Sequence, residues 1–151
     1  MTLRLDPFAT APDLMRAWFA FSTQVEGSGV EKPLLELVKI RASLINGCAN
    51  CLNMHTFQAR QAGETEQRIA LVGAWREAPC YSERERAALG WTEHVTLIAD
   101  KRAPDDVYAL LDAQFSMEEQ AKLTLLIIVI NGWNRLAVAF NMFDPSYGWK
   151  E

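Results

Sequence analysis

The stretch LTLLIIVI at positions 123–130 constrains the fold more than any other part of the chain, because it has no polar face. A helix that is apolar on all sides has to be covered on all sides. A small domain can place one such helix at its centre, or a second subunit can cover part of it, and we expect both. The uncharged run ends at Asn134 and is interrupted by Asn131, so it is too short to cross a bilayer.

The rest of the sequence carries helix-start signals and lacks the alternating pattern of strands. Three pairs of a hydroxyl residue and an acid three positions later resemble capping boxes. They are Thr10 with Asp13, Ser82 with Glu85, and Ser116 with Glu119. We therefore predict an all-α bundle of about six to seven helices. Their expected ranges are 12–25, 32–45, 48–62, 66–74, 83–99, 104–113 and 117–141.

Length and composition indicate one soluble domain over residues 1–151. Half of the residues are hydrophobic, 23% are charged, and the net charge of −4 gives no reason to expect a nucleic-acid partner. The start MTLRLDPFATAPD lacks the apolar run of a secretory signal, which predicts a cytoplasmic protein. Cysteines stay reduced there unless they are used. Three cysteines are also too few for a structural disulfide framework.

Residues 46–55, NGCANCLNMH, gather two of the three cysteines and one of the two histidines. On a helix, Cys48, Cys51 and His55 share an arc of roughly 60°, and Ala59 lies on the same arc. We expect this stripe to pack, semi-buried, against a neighbouring helix. A cysteine at a helix start can have a lowered pKa, and a histidine one turn later can exchange a proton with it.

Three interpretations of the cluster remain: a redox pair, a zinc site, or packing alone. Zinc needs a fourth ligand, and ligands usually come from two segments of the chain. Cys80 and His94 stand singly and far away. Packing alone explains any one of these residues better than it explains all three on one arc. We favour redox chemistry, with no metal and no cofactor.

Glu36 followed by Cys48-x-x-Cys51-x-x-x-His55 resembles the core motif of the AhpD-like alkylhydroperoxidases, within the carboxymuconolactone decarboxylase family. The stretch VKIRASLINGCANCLNMHTFQARQAGETEQRI is similar to the family core nearly from end to end. The later stretches ERERAALGWTEHVTLI and LTLLIIVINGWNRLAVAF are similar to the second half of its single-domain members. The resemblance covers roughly residues 12–141.

This resemblance implies an all-α AhpD-like bundle with CxxC at a helix N-terminus, a trimer or hexamer, and a thiol peroxidase reaction. It implies that Cys51 attacks the peroxide, that Cys48 then closes the disulfide, and that Glu36 and His55 form a proton relay. A second dithiol, on a lipoyl group or a thioredoxin-like protein, would return the electrons. One departure is Asn50, which stands where the best-studied members have histidine; this alters any relay that uses that imidazole.

Two rival functions stay open: decarboxylation of a lactone acid, and a redox sensor whose disulfide changes its oligomer. The decarboxylase branch does not rely on a CxxC pair, so the cysteines argue against it. Without the resemblance, Glu36 and Lys39 are equally well interpreted as a solvated ion pair on a helix surface.

Other polar residues are expected to be structural. His94 and the tryptophans Trp91 and Trp133 would pack in the core or between subunits, and Cys80 is an incidental thiol. Arg135, in the most apolar helix, would face a carboxylate, within the same subunit or at an interface between subunits.

Overall fold

A computed structural model describes residues 2–148 and confirms the all-α class. Within that range the chain forms nine α-helices, one short 3-10 helix (Val72–Ala74) and no strand. The helices are α1 (Pro7–Thr10), α2 (Pro12–Glu26), α3 (Lys32–Asn46), α4 (Ala49–Gln61), α5 (Glu66–Leu71), α6 (Glu83–Thr96), α7 (Ile98–Lys101), α8 (Asp105–Asp112) and α9 (Met117–Phe140).

Two of the three expected capping boxes are present. Ser82 and Ser116 each accept a hydrogen bond from the backbone N–H three residues on, and the acids Glu85 and Glu119 each accept one from the cap residue's own N–H. Each reciprocal pair satisfies two N–H groups that the helix cannot pair internally, and a cap of this kind is worth about 1 kcal/mol.

The expected capping box at Thr10 and Asp13 is wrong. A short extra helix, α1, occupies this segment, and Asp6 caps it by accepting from the N–H groups of Phe8 and Ala9. Thr10 lies inside α1 and donates its hydroxyl to the Asp6 carbonyl at 2.8 Å. Helix α2 starts at Pro12 with no side-chain cap. Proline fits the first position of a helix because no N–H is needed there.

The two other boundary differences are also local. The predicted helix 66–74 consists of α5 and the 3-10 helix that continues it. The predicted helix 83–99 ends at Thr96, and a separate four-residue helix, α7, follows after Leu97. Leu97 has φ −101° and ψ 33°, which are not α-helical angles, so the chain changes direction at this residue.

Helix α9 is the central helix, as its apolar sequence predicts. It contacts α2, α3, α4, α6 and α8, and it buries Leu126, Ile127 and Ile130. One stripe is left uncovered: Leu125 is 40% exposed and Ile128 is 49% exposed. The expectation of a central position is therefore confirmed, and cover of this stripe by a second subunit stays a prediction.

Helix α9 is also long and apolar enough to cross a membrane, judged by length and composition, and in residues 2–148 no other helix is. The central helix of a soluble protein meets the same criterion, and 44% of the most apolar window is buried inside the protein. The tertiary contacts of α9 account for its composition, so the criterion is weak support for a membrane span here.

The hairpin formed by α3 and α4 positions the predicted site. Helix α3 buries a continuous run from Leu34 to Ile40, including two charged residues, Glu36 and Lys39. It ends at Gly47, which has φ 64° and donates its N–H back to the Leu44 carbonyl. Glycine adopts this left-handed conformation without steric cost, which allows the chain to reverse immediately into α4.

Candidate active site

The two cysteines of the CxxC motif lie at the start of α4 with their sulfur atoms in contact. Cys48 is the N-cap residue, and its Sγ accepts the backbone N–H of Cys51 at 3.3 Å. The two Sγ atoms are 2.6 Å apart, and each residue is 1% exposed. A disulfide bond is about 2.05 Å long, so only a small side-chain rotation separates this arrangement from a bonded pair. The cluster is more deeply buried than the semi-buried position we expected.

The pKa values of the two cysteine thiols are shifted in opposite directions. The pKa of Cys48 is lowered to about 7 from an ordinary 9.0, first because the Cys51 thiol donates to its sulfur. The backbone N–H of Cys51 and the side-chain amide of Asn134 lower it further, against the effect of burial. The pKa of Cys51 is raised, because its proton is held by the Cys48 sulfur and because the site is buried. Near neutral pH the pair therefore shares one negative charge, centred on Cys48.

Glu36 and His55 form a buried pair beside the cysteines. The Nδ1 of His55 lies 3.0 Å from Glu36 Oε2, and the exposed fraction of each side chain is 4%. Burial works to raise the pKa of Glu36, but the His55 hydrogen bond and the Lys39 charge outweigh it and hold the pKa below its ordinary value. Glu36 is therefore an acceptor for Nδ1–H, which leaves Nε2 as the free ring nitrogen.

Lys39 joins this group from the next turn of α3. Its ammonium lies 2.5 Å from Glu26 Oε1 and 3.6 Å from Glu36 Oε1, and its side chain is only 3% exposed. The interpretation of Glu36 and Lys39 as a solvated surface pair is thus wrong. The two residues do form an ion pair, but it is buried, and each also has a partner on another helix: His55 of α4 contacts Glu36, and Glu26 of α2 contacts Lys39.

A cavity of about 600 Å³ opens next to these residues. His55 and Asn50 of α4, Lys39 of α3 and Trp133 of α9 line it, whereas neither cysteine does. This size is typical of sites for small organic molecules. A molecule bound in the cavity can therefore contact His55, which in turn contacts Glu36.

The donor set does not fit zinc. A tetrahedral zinc ion holds two thiolates roughly 3.7 Å apart, farther than the contact between Cys48 and Cys51. In the described part of the chain, no group of three or more His, Cys, Asp or Glu residues is arranged to hold a metal ion.

Comparison with known proteins identifies the family. The uncharacterized protein YdfG of Bacillus subtilis is 42% identical over 92% of this chain and 95% of its own length. The model of the carboxymuconolactone decarboxylase family matches residues 12–94, more than half of the chain. The chain belongs to the carboxymuconolactone decarboxylase family.

Solved structures confirm the AhpD-like fold of this carboxymuconolactone decarboxylase family member. A protein of unknown function from Agrobacterium tumefaciens, a suggested antioxidant defence protein AhpD, matches with a TM-score of 0.92 and 44% identity. The match covers 95% of this chain and 99% of that one. The debrominase Bmp8 matches with a TM-score of 0.79 over 93% of this chain and 76% of its own, but at 16% identity it is similar in fold alone.

Asn50, the departure from the best-studied family members, does not face the cysteines. Its Oδ1 accepts the backbone N–H of Asp144 at 2.7 Å, and Asn53 donates to the carbonyl of Asp144 at 3.1 Å. Two asparagines of α4 thus hold one residue of the C-terminal segment by both of its backbone polar groups. In this member of the carboxymuconolactone decarboxylase family, position 50 anchors a wall of the cavity.

Asn134 is a site residue whose role the sequence did not indicate. It is fully buried, donates to Ser43 Oγ at 3.0 Å and accepts from Asn46 Nδ2 at 2.8 Å. Its amide also lowers the pKa of both cysteines. The available signal was an asparagine in the most apolar helix, since a buried amide needs partners. Nothing in the local pattern pointed to cysteines more than 80 positions earlier in this family member.

Of the residues expected to be structural, His94 and Cys80 lie outside the site, whereas Trp133 does not. His94 Nδ1 contacts the Arg102 carbonyl at 2.9 Å, and Cys80 packs half-buried in a separate apolar cluster. Trp133 packs on the core and also lines the cavity. The expected carboxylate opposite Arg135 is not found in residues 2–148. Arg135 is exposed and donates to the carbonyl and side chain of Asn131, one turn earlier in its own helix.

Proposed function

We propose that this protein is a thiol-dependent peroxidase that reduces hydrogen peroxide or an alkyl hydroperoxide through Cys48 and Cys51. The observation that carries the proposal is the contact of the two sulfurs, 2.6 Å apart, at a helix N-terminus. It occurs next to a buried carboxylate–imidazole pair, Glu36 and His55. A nucleophilic thiolate, a resolving thiol and a proton donor are the three groups that peroxide reduction requires.

The first step is attack by Cys51 on the O–O bond. Once Cys48 is ionised, the Cys51 S–H donates to its thiolate, so Cys48 takes this proton as Cys51 attacks. An S–O bond forms, the O–O bond breaks, and the departing alkoxide receives a proton that solvent supplies through His55, which Glu36 orients. The products are an alcohol (water from hydrogen peroxide) and a sulfenic acid on Cys51.

The second step closes the disulfide. The Cys48 thiol condenses with the Cys51 sulfenic acid, the S–S bond forms, and water leaves. Two electrons have then passed from the two sulfurs to the peroxide. A dithiol partner, such as a lipoyl group or a thioredoxin-like protein, returns the pair to the reduced state by thiol–disulfide exchange and is itself oxidised.

The protein acts as a homo-oligomer, a trimer or hexamer, in this proposal. The uncovered stripe of α9 with Leu125 and Ile128 supports it, because exposed apolar surface on a central helix is usually an interface. Sedimentation or light scattering would measure the mass, and a monomer at micromolar concentration would contradict this part of the proposal.

The function is tested by peroxide consumption with dithiothreitol present, comparing the wild type with Cys48→Ser and Cys51→Ser, with Cys80→Ser as the matched control. We expect Cys80→Ser to keep turnover and the other two variants to lose it. Mass spectrometry should find a trapped oxidised Cys51 in Cys48→Ser and no oxidation of Cys48 in Cys51→Ser.

Each other outcome points to a different conclusion. The reverse trapping pattern would exchange the two cysteine roles and keep the reaction. A single oxidation of the wild type without turnover would identify a redox sensor. Turnover of a lactone acid that does not need either cysteine would identify a decarboxylase.

A further inference from the structure

The cavity that His55 lines is largely apolar, and its wall carries more negative than positive side chains. Aromatic and aliphatic side chains form most of its wall, among them Phe8, Phe19, Met54, Val129 and Trp133. The charged side chains that line it are three carboxylates, Asp6, Glu26 and Asp144, and one ammonium, Lys39. The cavity therefore has apolar surface to bind and an excess of negative charge.

The ammonium of Lys39 is already neutralised by carboxylates. It contacts Glu26 at 2.5 Å inside the cavity wall and lies 3.6 Å from Glu36 directly behind it. The Glu36 carboxyl keeps its charge because His55 and Lys39 hold its pKa below the ordinary value. Lys39 therefore has no free positive charge to offer to a ligand.

A ligand carboxylate would be disfavoured on two counts. Moving it from water into a mostly apolar cavity costs solvation free energy, which only a cation or several donors can offset. Here it would also approach like charges, whose repulsion is weakly screened inside a cavity. A neutral apolar molecule has neither cost and gains from contact with the aromatic wall.

We propose that this cavity binds an uncharged apolar molecule, and that the protein selects neutral organic hydroperoxides over hydroperoxides that carry a carboxylate. This inference rests on the proposed peroxidase function for its reaction, but its binding preference stands apart from any turnover. The cavity of about 600 Å³ is large enough for an aromatic hydroperoxide, and His55 lies in its wall. Glu26 is the specificity-determining residue, because its carboxylate pairs with the Lys39 ammonium and keeps that charge from a bound ligand.

The test uses two unreactive alcohols that differ by one carboxylate. The neutral probe is 2-phenyl-2-propanol, and the charged probe is its para-carboxylate. Dissociation constants are measured by ligand-observed NMR titration of the reduced full-length protein at pH 7.5. We expect the neutral probe to bind at least tenfold more tightly than the charged one.

Two variants with matched controls locate the effect. Glu26→Gln frees the Lys39 ammonium and should reduce the preference at least threefold. Glu118→Gln changes an exposed glutamate paired with Lys122 and should leave the preference unchanged. Phe19→Ser, in the cavity wall, should weaken neutral-probe binding at least threefold. Leu14→Ser, at an exposed position of the same helix that does not line the cavity, should not.

Equal or tighter binding of the carboxylate probe would overturn the inference, as would binding of neither probe or an unchanged preference in Glu26→Gln. If the preference is found but the wild type turns over no peroxide, the inference about the cavity holds and the proposed peroxidase function fails. If the wild type turns over peroxide but shows no preference for the neutral probe, the proposed peroxidase function holds and the inference about the cavity fails.

Discussion

Removing the thiol of Cys51 should make Cys48 a weaker acid. The pKa of Cys48 is lowered from an ordinary 9.0 to about 7, with the Cys51 S–H donor as the largest cause. This two-unit shift corresponds to about 3 kcal/mol in favour of the thiolate. Cys51→Ala deletes the S–H donor and keeps the backbone N–H at the same place. Because a neutral donor to a charged acceptor is worth about 1.5 kcal/mol or more, we expect the pKa of Cys48 to rise by about one unit.

The measurement is thiolate absorbance at 240 nm against pH, in a Cys80→Ala background so that only the pair contributes. At pH 7 the reduced parent should have about half of Cys48 ionised, and Cys51→Ala about one-tenth. The reciprocal variant, Cys48→Ala, removes both the sulfur that holds the Cys51 proton and its charge, so the pKa of Cys51 should fall.

An unchanged or lowered pKa of Cys48 in Cys51→Ala would refute the assignment of the shared proton. It would mean that the helix N-terminus and Asn134 alone set the acidity of Cys48. The mechanism would then lose its account of how Cys51 is deprotonated, because that step uses Cys48 as the base.

Three further predictions concern stability and the site's supporting contacts. Burial works to raise the pKa of Glu93, but Arg76, Trp75 and Arg41 lower it from 4.5 to about 2. The ionised Glu93 therefore contributes about 3 kcal/mol to the free energy of unfolding above pH 4.5, and this contribution is lost as the pH falls towards 2. Glu93→Gln should remove this pH dependence of the free energy of unfolding, measured by urea denaturation. Asn134→Leu should raise the pKa of Cys48 by absorbance titration and destabilise the fold by about 1–3 kcal/mol, because its buried partners lose their bonds. Gly132→Ala would place a Cβ 2.5 Å from the Trp18 ring, and thermal unfolding should show a loss of about 1–3 kcal/mol.

Each of these three has a clear contrary result. An acid slope that persists in Glu93→Gln would assign it to other carboxylates. A Cys48 titration unchanged by Asn134→Leu would mean that the amide supports the fold without acting on the sulfurs. A fully stable Gly132→Ala would show that the Trp18 ring can move aside.

Local chemistry made much of the fold predictable. The capping boxes at Ser82 and Ser116 were found because each depends on residues three positions apart. The common face of Cys48, Cys51 and His55 followed from helix geometry alone, and all three are buried. The false box at Thr10 had the right spacing, but Asp6 caps a preceding helix that no periodic pattern had indicated.

Long-range contacts account for what the sequence did not indicate. Glu36 and Lys39 have the spacing of an ordinary surface ion pair, and their burial depends on helices that pack on α3 from elsewhere in the chain, α4 and α9 among them. Asn134 reaches the cysteines, and Asp144 reaches Asn50, across more than 80 residues of sequence. Helical periodicity gives the face on which a residue lies, but not which distant element covers that face.

The residues proposed to react and the residues that line much of the cavity come from different parts of the chain. The two sulfurs, Glu36 and His55 all lie on the α3–α4 hairpin, within 20 consecutive positions, 36–55. Residues 3–8 and 142–147, near the two ends of the chain, supply part of the cavity lining. The two ends also pair with each other, since the Arg4 N–H donates to the Phe140 carbonyl at 2.9 Å. A change in these terminal segments can therefore alter which molecule reaches His55 without moving the sulfurs or the relay. For this reason changes near Asp144 should shift apparent affinity for peroxide, as should Phe19→Ser in the part of the cavity wall that α2 supplies. Glu36→Gln should instead lower the turnover rate at saturating peroxide.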